Sequence, residues 1–315
     1  MLITSLVTGI EACRLVDYRH YFVPSHQSTS ADQIQILQDF IDNSQKLAVI
    51  TGAGISTESG IPDYRSEGVG LYARNGYRPI NYLQFLSHHS IRQRYWARSF
   101  LSWNNFFQKK PNEGHLTLRR WETAGRLEGC VTQNVDRLHH KAGSEKIIEL
   151  HGSLYSVRCI QCHHMTHRTL FQTILADLNA DLIQTEEIGR VLSSDYQKLA
   201  RPDGDIDVNS DLVNNFQIPY CQRCDGILKP DIVFFGDNVS SKLVNRIYTL
   251  IDHCDSLLVL GSSLQVYSSY RFVLRANKAN KPIVIVNIGP TRADSLENIV
   301  RLNAKIGHVL PLIKV

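Results

Sequence analysis

The sequence has no apolar run of the ~18 residues that a membrane-spanning helix needs, and it shows no internal repeat. Its charge is nearly balanced: 34 basic against 30 acidic side chains leave a net charge of +4, too small and too evenly spread to indicate nucleic-acid binding. A hydrophobic content of 43% excludes collagen-like and disordered classes. We therefore expect a globular protein of about two domains, with neither nucleic acid nor a membrane among its partners.

The cysteine pattern is unlike a disulfide framework. There are seven cysteines, an odd number, and four of them form two C-x-x-C pairs, Cys159 with Cys162 and Cys221 with Cys224. This pattern favours metal binding in a reducing compartment. Four thiolates close a tetrahedral zinc site and leave no position for water, so the predicted zinc ion is structural. The 58 residues between the pairs exceed the ~15–20 of an ordinary zinc ribbon, which predicts a ribbon with a long insertion.

Short apolar segments that alternate with amphipathic helices predict a parallel sheet covered on both faces. A helix is predicted over 31–44. Strands are predicted at 47–50, 130–132, 147–150, 232–235, 256–260, 283–286 and 307–310. The predicted fold class is α/β, a Rossmann-like doubly wound parallel sheet with an inserted small zinc-binding domain.

The domain organisation follows from interruptions of this alternation. Segments 31–65, 113–153 and 226–315 are predicted to form the large domain, and 154–225 the zinc module. Segment 66–112, with seven basic side chains and one acid, forms a basic and aromatic lobe, whereas 177–215 has nine acids and three basic residues. Segment 1–30 is interpreted as a poorly ordered leader, with a mitochondrial transit peptide as the alternative.

A glycine-rich loop follows the first predicted strand. Gly52 and Gly54 would let the backbone approach a pyrophosphate, whose charge a helix N-terminus favours. Thr57 replaces the third glycine of the dinucleotide fingerprint, so an ordinary tight turn is the alternative. Further on, Asp63 and Arg65 could reach a phosphate or ribose, or form a surface ion pair.

Polar side chains follow other predicted strands, at the edge where open α/β sheets bind ligands. Gln133, Asn134 and Asp136 follow the strand that ends at 132, with a turn and helix cap as their alternative role. His151 follows the next strand, and a histidine pKa of ~6.5 suits general-base chemistry; a structural histidine is the alternative. Two more polar loops, 261–265 and 287–289, also lie at strand ends.

In combination these motifs resemble the sirtuin family of NAD-dependent protein deacylases, in order from about residue 33 to residue 310. The features that carry the resemblance are 52–56, 60–65, 133–136, 151–152, the two cysteine pairs, 234–236 and 261–263. Segments 64–67, 70–74, 92–98 and 287–292 resemble the class II mitochondrial branch.

The resemblance implies an active site in the cleft between the two domains. It implies that the carbonyl oxygen of an acyl-lysine attacks the nicotinamide ribose, that nicotinamide leaves, and that His151 acts as general base on a ribose hydroxyl. Asn134 and Asp136 would hold the ribose and the amide as catalytic partners.

The resemblance also implies the binding residues. For NAD they are Gly52, Ala53, Gly54, Ile55, Thr57, Asp63, Tyr64, Arg65, Tyr72, Gln133, Asn134, Val135, Asp136, Gly261, Ser262, Ser263, Asn287, Ile288, Gly289 and Ile306. For the substrate peptide, added as a strand, they are Val233, Phe234, Phe235, Gly236, Leu264 and Val266, with Tyr72 and Arg74 near the acyl group.

The function implied is NAD-dependent protein-lysine deacylation in the mitochondrial matrix, on acylated metabolic enzymes, with NAD and one zinc ion. Longer, acidic, lipoyl or biotinyl groups are expected rather than acetyl. Protein mono-ADP-ribosyl transfer and a non-catalytic NAD or ADP-ribose sensor are the alternatives. Tyr72 and Arg74 would receive an acyl chain that ends in a carboxylate; the alternative is that Arg74 faces solvent or the phosphates. The acidic insertion would fold towards the basic lobe and narrow the acyl channel, or remain a solvated loop.

Overall fold

The computed structural model describes residues 22–26, 28–68, 70–73, 79–183 and 210–315. Its strands are β1 Leu47–Thr51, β2 Leu127–Thr132, β3 Ile147–Glu149, β4 Gly152–Cys159, β5 Met165–His167, β6 Leu228–Ile232, β7 Ser256–Leu260, β8 Ile283–Val286 and β9 Ile299–Leu302. Its α-helices are α1 Ala31–Asp42, α2 Tyr82–Ser87, α3 His89–Phe107, α4 Glu113–Thr123, α5 Leu138–Lys141, α6 Arg168–Leu178, α7 Ala180–Ile183, α8 Ser210–Asn215, α9 Ser241–His253, α10 Tyr267–Lys278 and α11 Ile306–Val309.

Six strands form a parallel sheet in the order β3-β2-β1-β7-β8-β9. All residues of β1, β7 and β8 are buried, as their continuous apolar sequences require when helices cover both faces. One face packs against α1, α4 and α11, and the other against α9 and α10. The predicted α/β class with a doubly wound parallel sheet is therefore confirmed.

A second sheet is antiparallel and has three strands in the order β5-β4-β6. It packs with α3 and α6 around a largely aromatic core. Trp96 on α3 lies 4.6 Å from the ring of Phe171 on α6, measured between ring centroids. This is the small domain, and its β6 shows that 228–232, predicted as part of the large domain, pairs with the small sheet.

Two strand predictions are wrong. The apolar run 232–235 lies almost wholly beyond β6, and it does not join the parallel sheet. The segment 307–310 overlaps α11, in which Ile306 and Val309 are buried at helical spacing. The last sheet position is instead taken by β9, an edge strand whose polar Arg301 hides its pattern. A short segment with two adjacent apolar residues does not distinguish a strand from a helix.

The C-terminal end of the acidic insertion is anchored to the lobe. On α3, Gln93 Nε2 donates to the carbonyls of Asn214 (3.1 Å) and Phe216 (2.8 Å). Residues 184–209 lie outside the described residues, as does the predicted effect of the insertion on the acyl channel. No helix in the described part of the chain combines the length and apolar character needed to cross a membrane.

Residues 22–26 precede α1, and Phe22 is 1% exposed. The remainder of the predicted leader, 1–21, lies outside the described residues.

Candidate active site

Two loops from neighbouring strands meet with almost no space between them. Gly54 N donates to Gly261 O (2.9 Å), which joins the loop after β1 to the loop after β7. A Cβ on Gly54 would lie 2.8 Å from the Cα of Gly261, and Gly261 itself has φ +60°. The glycines therefore allow two backbones to touch, beside the N-terminus of the 3-10 helix Ala53–Ser59.

A polar network joins the loop after β2 to both of these loops. Gln133 Nε2 donates to Ser262 Oγ (2.8 Å), and Asn134 Nδ2 donates to Gly52 O and Ser56 Oγ (both 3.0 Å). Ser56 Oγ donates to Asp136 Oδ2 (2.7 Å). These side chains are fixed relative to one another by bonds that span 78 to 129 residues of sequence.

Asp136 is 4% exposed, and burial raises the pKa of its carboxyl group. Hydrogen bonds from the Leu138 amide (2.9 Å) and from the Ser56 hydroxyl oppose that shift. The carboxyl group is held in one orientation next to the polar network.

His151 follows β3 and is partly buried at the end of the same network. Its Nδ1 lies 3.0 Å from the carbonyl oxygen of Gln133, and its Nε2 lies 2.8 Å from Ser268 Oγ. Burial lowers the pKa of the imidazole, and the Gln133 carbonyl opposes this in part. The ring is therefore neutral near pH 7, the state that a general base requires.

The carboxyl ends of the strands border an open cleft with a cavity volume of about 30 Å³. Of the predicted cofactor-binding residues it contains Gly54, Thr57, Asp63, Gly261, Asn287, Ile288 and Ile306. Its mixed lining, a helix N-terminus and glycines without side chains fit an elongated phosphate-bearing ligand. Among the other predictions, Ile55 lies in the core, and Val135 packs against the small-domain core.

The segment 63–72 folds back on itself at the mouth of the cleft. Asp63 Oδ1 accepts from the amides of Arg65 (3.0 Å) and Ser66 (2.8 Å), so its carboxylate stabilises the turn. The Arg65 guanidinium lies 5.1 Å from the ring centre of Tyr72. Asp63 and Arg65 thus do not pair with each other in the way the alternative interpretation expected.

Aromatic rings connect this segment to the predicted peptide strand. Tyr64 lies 5.7 Å from Tyr72 and 6.3 Å from Phe235, between ring centroids. Tyr72 and Phe235 are each 38% exposed. Arg74 lies outside the described residues, so its predicted contact with an acyl group is not described.

The segment 233–236 continues from β6 and turns at Gly236, which has φ +77°. Val233 N donates to the carbonyl of His151 (2.9 Å), and Tyr82 N donates to the carbonyl of Phe235 (2.9 Å). Phe234 is buried in the small-domain core. On the other side, Leu264 is 1% exposed and Val266 is the N-cap of α10. Leu264 therefore offers its backbone, not its side chain, to a ligand.

The four paired cysteines converge at the far end of the small sheet. Cys159 Sγ lies 3.5 Å from Cys224 Sγ, Cys162 Sγ lies 3.6 Å from Cys221 Sγ, and all four sulfur atoms lie within 4.8 Å of one another. A tetrahedral zinc ion with bonds of about 2.3 Å requires sulfur atoms about 3.8 Å apart. The cysteines fit one structural zinc ion.

Several lining residues were not predicted from the sequence. Val23, Pro24, Glu58, Ser66, Ala304 and Lys305 also border the cleft. Lys305, 3% exposed, pairs with Glu58 (3.4 Å), which accepts from Gly307 N (2.9 Å). Lys305, next to the predicted Ile306, was a clue in the sequence, but its partner Glu58 lies near the other end of the chain.

Relatives share this arrangement over most of the chain. The Sir2 family model matches residues 52–268. A Drosophila melanogaster protein, "NAD-dependent protein deacylase Sirt4", is 47% identical over 293 residues, 93% of this chain and 90% of its own length. The Homo sapiens protein "NAD-dependent protein lipoamidase sirtuin-4, mitochondrial" is 48% identical over 292 residues, 93% of this chain and 89% of its own.

Solved structures agree with the sequence comparison. The structure titled "Sir2-p53 peptide-NAD+" superposes with a TM-score of 0.63 at 29% identity, over 88% of this chain and 95% of that one. Another, titled "Structure of Sir2Tm bound to a propionylated peptide", gives a TM-score of 0.63 at 28% identity. With the family model covering well over half of the sequence, the resemblance to sirtuins is confirmed, and the chain belongs to the Sir2 family.

Proposed function

We propose that this chain is an NAD-dependent protein-lysine deacylase, which transfers the acyl group of a modified lysine to the ADP-ribose part of NAD and releases nicotinamide. The observation that carries the proposal is the His151 imidazole, held by hydrogen bonds at both nitrogens at the end of the polar network. Relatives with 47–48% identity bear the names deacylase and lipoamidase.

The cleft residues would hold NAD, which supplies an electrophilic ribose carbon and nicotinamide as the leaving group. Gln133, Asn134 and Asp136 would bind its nicotinamide ribose and amide. The Gly52–Gly54 loop and the 3-10 helix N-terminus would face the phosphates, whose charge the aligned amides favour. Asn287, Ile288 and Ile306 would hold the adenosine end of the cleft.

His151 would accept a proton at Nε2 from a ribose hydroxyl. Because an amide oxygen is a weak nucleophile, most of the rate has to come from orientation, and the hydrogen-bonded network provides it. The segments 233–236 and 264–266 would bind the substrate backbone as an added strand.

The proposal also concerns which acyl group the enzyme removes. Tyr64, Tyr72 and Phe235 form an aromatic surface at the mouth, which suits a longer, lipoyl-like or biotinyl-like chain better than acetyl. Arg74, two residues beyond Tyr72, would bind a chain that ends in a carboxylate. Arg74→Ala should then slow acidic acyl substrates at least tenfold more than neutral ones, and an equal effect on both would exclude this role.

The first experiment incubates purified protein with NAD and acetyl, lipoyl, biotinyl, glutaryl and branched acyl-lysine peptides, and identifies products by mass spectrometry. We expect release of one acyl class with an equimolar O-acyl-ADP-ribose product. ADP-ribose added to protein instead would support mono-ADP-ribosyl transfer. NAD binding without any turnover would support the sensor.

His151→Ala should reduce the deacylation rate by about 10²–10⁴, the usual contribution of a general base, while NAD still binds. His140→Ala is a matched control, since His140 lies 3.7 Å from Glu149 outside the polar network. An His151→Ala enzyme with full activity would contradict the proposed role.

We also propose the mitochondrial matrix as the compartment and acylated metabolic enzymes as substrates, because a relative with 48% identity is named mitochondrial. Protease protection of a tagged full-length chain in isolated, swollen mitochondria tests the matrix assignment. Cleavage of the tag in intact mitochondria would contradict it.

A further inference from the structure

We propose that Ser268 is a positioning residue for His151: its hydroxyl holds the free imidazole with Nε2 as the acceptor, gives up that place to the ribose hydroxyl when NAD is bound, and accepts a hydrogen bond from Nε2–H once the ring has taken the ribose proton. Ser268 is the second residue of α10 and is half-buried. It is 117 residues from His151 in sequence, and none of the motifs includes it. This inference rests on the proposed function and adds one residue to its machinery.

The tautomer of His151 follows from its partners. A backbone carbonyl oxygen only accepts hydrogen bonds, so Nδ1 carries the proton and donates it to Gln133 O at 3.0 Å. Nε2 is then the lone-pair nitrogen, and Ser268 Oγ donates to it at 2.8 Å. The ring is held at both nitrogens, so neither a ring flip nor the other tautomer keeps both bonds.

A hydroxyl group suits both protonation states. With neutral His151 the hydroxyl donates, and with the imidazolium it turns its hydrogen away and accepts from Nε2–H. The second bond has a charged donor, and such bonds are roughly twice as strong as neutral ones. Ser268 therefore stabilises the charged ring more than the neutral ring, and assists proton uptake.

The charged groups around His151 are already engaged. Glu149 on β3 pairs with Arg137 (3.4 Å), and Asp231 on β6 pairs with Arg158 (3.4 Å). On α10, the Arg271 guanidinium lies over the ring of Tyr267. Asp136 is bonded to Ser56 and to the Leu138 amide. Among the described residues, Ser268 Oγ and Gln133 O are the groups that hydrogen-bond the ring.

The test compares Ser268→Ala with Ser268→Thr. In the free protein, NMR titration should show the His151 pKa lower in Ser268→Ala by about half a unit to one unit. With NAD and the best peptide, kcat should fall about tenfold, with the acidic limb of the pH profile moved to lower pH and KM for NAD changed less than twofold. Ser268→Thr, which keeps the hydroxyl, should restore both.

Ser269→Ala is the matched control, because its hydroxyl donates to the Val266 carbonyl (3.1 Å) and not to His151. An unchanged His151 pKa in Ser268→Ala, or equal effects in Ser269→Ala, would overturn the proposal. An acyl adduct on Ser268 formed without NAD would overturn it too, because Ser268 would then be a nucleophile. A pKa shift in a protein that shows no NAD-dependent turnover would instead reject the proposed function and keep the positioning role.

Discussion

The parallel sheet and the small antiparallel sheet fix their functional groups by different means. In the parallel sheet, loops from β1, β2 and β7 meet through backbone contacts and hydrogen bonds between short polar side chains. In the small sheet, one end is held by four thiols and the remainder by aromatic packing. The contacts between the glycine loops leave no room for an added Cβ, whereas the cysteine cluster needs all four of its thiols.

The largest effect is expected from a variant that disrupts only the small sheet. Cys159→Ser should reduce the zinc content from one ion per chain to near zero. Because structural zinc contributes about 10–16 kcal/mol of apparent binding free energy in small domains, we expect the free energy of unfolding to fall by about 5 kcal/mol or more. Metal analysis and hydrogen exchange measure this, with protection lost in β4–β6 and kept in β1 and β7.

Cys254→Ser is the control for this variant. Cys254 is a buried thiol in the large domain that donates to the Ile251 carbonyl (3.1 Å) and is no part of the cysteine cluster. It should keep its zinc and lose about 1 kcal/mol. Retention of zinc by Cys159→Ser would show that the sheet does not depend on this ligand.

The next largest effect is expected from a variant that disrupts only the site at the parallel sheet. A Cβ on Gly261 would lie 2.5 Å from the backbone nitrogen of Ile55, at φ +60°. Gly261→Ala should therefore cost about 3 kcal/mol and weaken NAD binding at least tenfold, with zinc content unchanged. Gly125→Ala, at φ +77° with nothing within 4 Å, should cost about 1 kcal/mol. Equal losses in the two variants would show that backbone conformation, not crowding, sets the effect.

Acid should weaken the large domain through two buried histidines. His115 and His139 are each 1% exposed or less, and their ring centroids are 4.8 Å apart. Burial lowers the pKa of His139 from its usual 6.5 to about 3, and lowers that of His115. Both rings are neutral in the fold, so their stabilisation is complete above pH ~6.5 and is lost as the pH falls towards 3.

Between pH 6.5 and pH 5 we expect His139 to lower the free energy of unfolding by about 2 kcal/mol, and His115 to add to this loss. Urea titrations at several pH values measure this loss. His139→Gln should reduce the slope by about half, and a pH-independent stability over this range would reject the explanation.

The smallest effect on stability is expected from a variant that should reduce NAD-dependent turnover while the protein stays folded. Because burial raises the pKa of Asp136, the protonated form favours folding below the ordinary pKa, and that advantage is lost as the pH rises. Asp136→Asn should leave the free energy of unfolding at pH 8 equal or higher by about 1 kcal/mol or less, yet reduce NAD-dependent turnover. Thermal unfolding and the peptide assay at pH 8 test this pair of outcomes. A clear loss of stability at pH 8 would mean that the carboxylate supports the fold.

Sequence patterns predicted the buried part of the parallel sheet well. The predicted bounds of β7 and β8 match the structure, because long apolar runs between polar turns have few alternatives. β9 was missed since Arg301 and an exposed edge weaken its pattern, and α11 was predicted as a strand because the adjacent apolar residues Val309 and Leu310 suit either form. The site motifs converge because each follows a strand.

Contacts between distant segments could not be predicted from the sequence. Glu58 with Lys305, and Ser268 with His151, lie in different elements, and neither residue type stands out locally. The zinc site was predictable because two C-x-x-C pairs indicate a metal site without knowledge of the surrounding fold.

The course of β4 has a mechanical consequence. His151 runs directly into this strand, whose eight residues span about 26 Å to Cys159 at the other end. The backbone of His151 thus joins β3 of the parallel sheet to β4 of the small sheet, whereas the Gln133 carbonyl and Ser268, which hold its ring, belong to the large domain. A change in the angle between the two sheets would therefore alter the hydrogen bonds that orient the imidazole.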